Sequence, residues 1–256
     1  MQIICTHNGA ARPIALLDSG AGGIGVLREV KKLLPREQLL YFGDSRNAPY
    51  GEKSAAEIER LVLRAAARLL QTAKALVLAC NTATAVAAAR LRERYWPIPI
   101  IGMEPALRPA IVAGHRRVLV LATAATLREK KFLQLCQTCE RSATVLPLSA
   151  PGIVRLVETG RGDSLEMDAY LQSLLAPYRG KVDAVVLGCT HFPFALQALR
   201  RCLGDLPFYD GAAGTARELK RRLAQSELLL EEGQGGVCMS ASDPASLPLM
   251  VRLLSE

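Results

Sequence analysis

The chain has 256 residues, half of them hydrophobic, and a net charge of +8. That length gives one large α/β domain or two smaller ones with substantial cores, and the composition excludes a disordered chain. The charge favours anionic partners. Its basic residues (Arg92, Arg94, Arg116, Arg117, Arg221 and Arg222 among them) are scattered with few aromatics between, as on solvated helix faces, so nucleic-acid binding is not expected as the main task.

In chain order, MQIICTHNGAARP has no basic region followed by an apolar run and does not read as a signal peptide. Residues 14–17 form the first strand candidate, followed by the turn DSGAGGIG and a helical pattern over 25–34. A short strand over 39–42 leads into the loop GDSRNAPYGEKS, and a long helix is predicted from about Ser54 to Lys74. The strand 75–78 then runs into ACNTAT. Further on come VLVLATAAT at 118–126, VDAVVLGCTH at 182–191 and FYDGAAG at 208–214. The most apolar segment, residues 64–90, is broken by Arg68 and Lys74 before it can span a bilayer. A cytoplasmic protein without a membrane partner is therefore expected, in which seven cysteines need form no disulfide.

Alternating strands and helices predict parallel sheets covered on both faces, with ligands at the carboxyl ends of the strands. The order is also duplicated. IALLDSG at 14–20 is followed by LVLACNT at 76–82, and VLVLATA at 118–124 by VVLGCTH at 185–191. Two similar parallel-sheet α/β domains, related by a pseudo-two-fold axis, would place Cys80 and Cys189 on opposite walls of one cleft. The expected division is 1–104 plus 212–256 for the first domain, carrying Cys80, and 105–211 for the second, carrying Cys189.

One cysteine at the end of a buried strand is ordinarily a small hydrophobe. Two of them, each followed by Asn, Thr or His, point to chemistry. A thiol at a helix N-terminus feels backbone N–H groups that favour thiolate, and the same groups with Asn81, Thr82 and Thr190 can hold a carboxylate. His191, two residues beyond Cys189, is placed to handle protons; its ordinary alternative is a helix cap or a polar niche. Asp18 could instead serve as an N-cap, as could Ser19. GAGGIG lacks the dinucleotide-binding glycine spacing, and no P-loop lysine follows. No metal site is expected, with three histidines and one C-x-x-C (Cys136 and Cys139) that has no second ligand pair nearby. Cys5, Cys202 and Cys238 have no informative context.

Taken together, DSGAGG (18–23), YFGDSRNAPYG (41–51), ACNTATA (79–85), GMEP (102–105), LATAATL (121–127), LVETG (156–160) and GCTHFP (188–193) resemble the cofactor-independent glutamate racemases of the aspartate/glutamate racemase superfamily. The turn CNTAT resembles the glutamate type rather than the aspartate type. The resemblance implies a two-base interconversion of L- and D-glutamate with no cofactor, supplying D-glutamate for peptidoglycan, in a homodimer. It implies that Cys80 deprotonates D-glutamate and Cys189 L-glutamate, with Asp18 and His191 assisting as proton relays. It further implies that Ser19, Asn81, Thr82 and Thr190 hold the α-amino and α-carboxylate groups. Pro49, Tyr50, Gly51, Thr123 and Thr126 would line the rest of the substrate, and Glu158 matches a further family acid. Ala122, Ala150 and the DGA at 210–212 depart from the family pattern without touching the proposed bases.

Three other readings stand beside this one. A related two-cysteine enzyme would act on aspartate, a hydantoin or maleate. A thiol hydrolase would use Cys189 and His191, although adjacent chain positions seldom give nucleophile–base geometry. A non-catalytic binding protein would tolerate loss of either cysteine.

Overall fold

The computed structural model describes residues 11–139 and 141–256. The reading of the first ten residues, Cys5 included, lies outside them. Nine strands are present among the described residues: β1 (Ile14–Asp18), β2 (Gln38–Gly43), β3 (Ala75–Leu78), β4 (Ile100–Gly102), β5 (Arg117–Ala122), β6 (Thr144–Ser149), β7 (Ala184–Gly188), β8 (Phe208–Asp210) and β9 (Gly236–Ala241). They build two all-parallel sheets, ordered β4-β3-β1-β2-β9 and β6-β5-β7-β8. Read in reverse, the second order is β8-β7-β5-β6, which repeats β4-β3-β1-β2. The molecule is two parallel-sheet α/β domains.

Helices cover both faces of each sheet. In the first domain these are α1 (Ile24–Leu33), α2 (Ala55–Leu69) and α3 (Asn81–Arg94); α4 (Leu107–Val112) follows. Then come α5 (Ala124–Arg128), α6 (Lys130–Cys139), α7 (Pro151–Glu158), α8 (Leu165–Leu175) and α9 (Leu196–Leu203). The chain closes with α10 (Ala212–Gln225) and α11 (Leu247–Ser255), which pack on α1. Side-chain alternation along β1 divides the first core. Ile14 and Leu16 join α1 and α10 on one face, while Ala15 and Leu17 join α2 and α3 on the other. In β5, Leu119 and Leu121 face one core and Val118 and Val120 the other.

Three strands escape the sequence reading, and each has a physical reason. β4 is three residues long, β6 contains Pro147, and β9 is half-exposed. All three are edge strands, where proline and short runs are tolerated because one side of the ladder is free. The helix predicted to reach Lys74 stops at Leu69. It starts as expected, with the Ser54 hydroxyl accepting from Glu57 N at 3.2 Å. At its other end the Arg12 guanidinium donates to the carbonyls of Leu70, Gln71 and Thr72. The Lys74 ammonium turns inward to a buried pair with Glu37 at 2.6 Å and donates to Leu228 O. No helix among the described residues is long and apolar enough to cross a membrane.

Candidate active site

The ends of β1, β3, β5 and β7 converge, and the polar turns that follow them meet across the two sheets. After β3, Cys80 is the N-cap of α3, its Sγ accepting from Ala83 N at 3.5 Å and lying 3.8 Å from Ser19 Oγ. After β7 no α-helix begins directly: Cys189, Thr190 and His191 precede a short 3₁₀ turn over Phe192–Ala195. Cys189 therefore has no α-helix N-terminus of the kind that Cys80 caps. Its Sγ instead lies 3.7 Å from His191 Nδ1.

Asp18, the last residue of β1, is fully buried and does not cap α1, whose N-cap is Gly23. One Asp18 oxygen accepts from Gly20 N at 2.9 Å, and the other accepts from the Thr190 hydroxyl at 3.1 Å. The carboxylate thus joins the first domain to the second cysteine turn. Glu158, at the end of α7, crosses in the opposite direction. Its Oε1 accepts from Ala21 N at 2.8 Å and lies 2.5 Å from His191 Nε2. The glycines of DSGAGG permit this contact: a Cβ on Gly20 would fall 1.9 Å from Glu158 Oε1, and one on Gly22 would fall 2.5 Å from His191 Nδ1. Gly20 and Gly22 thus leave room for side chains of the other domain, whereas a Cβ on Gly23 would meet Asp18, Ala79 and Tyr41 of its own domain.

Thr82 bridges to the second domain through Thr123 and Thr126, hydroxyl to hydroxyl at 2.9 and 3.2 Å. Thr123 in turn caps α5. Gly51 packs against Thr123, and the Tyr50 hydroxyl donates to Asp44 at 2.7 Å. Pro49 sits beside Glu158 at the cleft mouth. Asn81 is buried with neither side-chain polar atom partnered among the described residues. Orphaned amide groups of this kind cost free energy unless a ligand completes them.

Four further residues support the site; Thr84 belongs to the CNTAT turn already singled out in the sequence, and sequence reasoning missed the other three. The Tyr41 hydroxyl donates to Gly20 O at 2.7 Å and holds the first turn. Asp44 orients Tyr50 and Asn47. Thr84 donates to Leu78 O and accepts from Met103 N, bracing the Cys80 turn from behind. Arg155 of α7 clasps Glu52 across the mouth at 2.7 Å. Tyr41 and Asp44 lie inside the motif YFGDSRNAPYG, so the signal was present; their roles needed the fold.

The two halves of the site differ in charge. Burial pushes the Cys80 thiol up to about 12, with the Asp18 charge adding to it and the Ala83 N–H only partly opposing. The helix terminus therefore does not make Cys80 a thiolate here, against the expectation from its position. Burial likewise raises Asp18, more than His191 and the Gly20 N–H lower it. On the other side, burial works against a charged His191, but the hydrogen bonds and charges of Cys189 and Glu158 overcome it and hold the imidazolium well above its usual range. Burial would raise Glu158, yet the His191 contact and the Ala21 N–H leave it lowered. A neutral thiol faces an imidazolium–carboxylate pair with a sulfur beside it. That arrangement can accept a proton at one wall while giving one from the other.

The family model for Asp/Glu/Hydantoin racemases matches residues 24–219, which include both cysteine turns. The chain belongs to this family. The glutamate racemase of Clostridium acetobutylicum is 42% identical over 248 residues, covering 94% of this chain and 97% of its own. Among solved structures, the glutamate racemase of Thermus thermophilus in complex with β-chloro-D-alanine is 34% identical with a TM-score of 0.80, covering 96% of this chain and 94% of its own. That of Francisella tularensis in complex with D-glutamate is 26% identical with a TM-score of 0.82, covering 96% and 95%. This family member is an amino-acid racemase by descent and by fold.

Proposed function

We propose that this racemase interconverts L- and D-glutamate without a cofactor, using two thiols on opposite walls of the cleft. A weakly acidic α-proton must leave one face of the substrate and another must arrive at the opposite face, so one base cannot do both. In this reading Cys189 removes the proton of L-glutamate while the Cys80 thiol delivers one, and the roles reverse for D-glutamate. The observation that carries it is the pairing of a protonated Cys80 with a Cys189 that faces an imidazolium. Asp18 and His191 assist the two sulfurs. Asn81, with its unpartnered amide, receives the substrate polar groups together with Ser19, Thr82 and Thr190. Pro49, Tyr50, Gly51, Thr123 and Thr126 line the rest. Backbone and side-chain donors aimed at the carboxylate stabilise the carbanionic transition state.

We place the domain division at 1–104 plus 212–256 and 105–211, in a cytoplasmic homodimer that supplies D-glutamate for peptidoglycan. Circular dichroism of each glutamate enantiomer, with the purified protein and no added cofactor, tests the reading. The parent should racemise both, while Cys80→Ser and Cys189→Ser should each lose about 100-fold or more in kcat. A folded parent inert on both enantiomers would overturn it and point to aspartate, hydantoin or maleate substrates.

A second reading has one observation in its favour. Cys189, His191 and Glu158 line up at 3.7 and 2.5 Å in the order of a thiol-hydrolase triad, despite the adjacency of Cys189 and His191 in the chain. It leaves Cys80 idle, and so predicts a Cys80→Ser protein with full activity.

A further inference from the structure

Phe194 stands a few residues beyond Cys189, and it belongs to both domains. Its backbone is part of the second. The Phe194 N–H donates to His191 O at 3.1 Å, as that of Phe192 does to Cys189 O at 3.1 Å. A Cβ on Gly162 would fall 2.6 Å from the Phe194 carbonyl oxygen, so the chain behind it is closely backed. Its half-buried side chain packs against the second-domain core that contains Cys189 and Phe192. The same side chain packs against the first-domain core built on β1, α1, α10 and α11. Among the described residues, no other side chain is shared by a core of each domain.

Arg28 of α1 completes the seat. Its guanidinium carbon lies 5.6 Å from the centre of the Phe194 ring, within cation–π range. Its Nη2 donates to Leu253 O in the last turn of α11. Its Nε is buried with no hydrogen-bond partner among the described residues, so contact with the ring weighs more than it would in water.

The other ties between the walls differ in kind. Asp18–Thr190 and Thr82–Thr123 are polar, and Thr82 and Thr190 also hold the substrate in the reading above. Those hydrogen bonds are shared or exchanged when substrate arrives, so they cannot by themselves fix the spacing of the two sulfurs. Glu158–Ala21 is a single hydrogen bond of a partly exposed carboxylate. The Phe194 seat uses none of these groups and persists through turnover.

We propose that the Phe194 ring, seated beside Arg28, sets the position of the Cys189 wall against the first domain. Both are then positioning residues for the proton transfer. The inference rests on the racemase reading above and adds two residues to it. Phe194 acts through the backbone of the turn that carries Cys189 and His191, and Arg28 acts through Phe194.

The test is a cycle of three variants. Phe194→Leu keeps an apolar side chain without the ring, Arg28→Met keeps the length without the guanidinium, and the third carries both changes. Each is assayed at a temperature where circular dichroism shows it fully folded. Each single variant should lower kcat about tenfold in both directions, with KM within about threefold of the parent, because misplacing a reacting group by about 1 Å costs up to about 100-fold. The double variant should lose no more than the worse single one, whereas independent residues would multiply to about 100-fold. A packing role alone would lower the melting temperatures and leave kcat and KM of the folded proteins unchanged. That result would overturn the proposal, and so would losses that multiply. If Phe194→Leu does not fold, Arg28→Met decides alone, and a parental kcat in it overturns the proposal.

A parent inert on both enantiomers would sink the racemase reading instead. The seat is then judged without turnover, by amide hydrogen exchange in the substrate-free protein. In Arg28→Met the amides of Phe192 and Phe194 should exchange about tenfold faster than in the parent, while that of Val186 inside β7 keeps its rate. Unchanged exchange at Phe192 and Phe194 would overturn it.

Discussion

The pair at the centre of the second wall has a calculable pH signature. His191 has a folded pKa above its ordinary 6.5, so its contribution to stability is complete below 6.5 and is lost as pH rises through the folded value. Glu158 has a folded pKa below its ordinary 4.5, so its contribution is complete above 4.5 and is lost as pH falls through the folded value. Both are therefore complete between 4.5 and 6.5. His191→Asn strands the Glu158 carboxylate and should cost about 3 kcal/mol in that window, the low end for breaking a buried pair, since Glu158 is partly exposed. Thermal unfolding of parent and variant across pH measures it. A constant difference at all pH values would contradict the assignment. At this scale the residue types were legible in the sequence, and their charge states were not. The position of Cys80 at a helix N-terminus suggested thiolate; full burial beside Asp18 outweighs those backbone dipoles. The Glu158–His191 contact joins residues far apart in the chain, which no local pattern reveals.

Among the elements, ion pairs separate into two kinds by burial. Lys74–Glu37 is enclosed between the end of α2, the approach to β2 and the backbone at Leu228 and Leu230. Removing one partner leaves the other charge buried, so Glu37→Gln should destabilise by about 3–5 kcal/mol in a denaturant titration. The Arg155–Glu52 clasp is exposed on both sides, and Arg155→Ala should change stability by less than about 1 kcal/mol. Reversal of those two magnitudes would contradict the burial argument. The central strands were legible because they are continuous apolar runs, buried on both faces. The edge strands were not: β6 holds Pro147 and β9 is half-exposed, and neither has the pattern of a core strand. The end of α2 depends on Arg12, more than fifty residues earlier in the chain.

For the whole molecule, the repeated strand order explains why the site could be read before the fold. Equivalent strands, β3 and β7, end in the two cysteine turns, and a parallel sheet gathers such ends on one side. Asp18–Thr190, Thr82–Thr123 and Glu158–Ala21 then tie the walls together through polar groups of both domains. Gly22→Ala tests that closeness, because its methyl group would meet the His191 ring. It should lower kcat/KM by about tenfold or more, a displacement effect with no change in chemical groups. Unchanged kinetics would mean the walls stand further apart.

The most direct measurement of the two-wall account is proton NMR of L-glutamate turning over in deuterium oxide. With separate bases on opposite faces, the D-glutamate formed should carry deuterium at Cα from its first appearance, while the remaining L-glutamate keeps protium. Equal early deuteration of both enantiomers would show one base serving both faces, and would contradict the assignment of the two thiols.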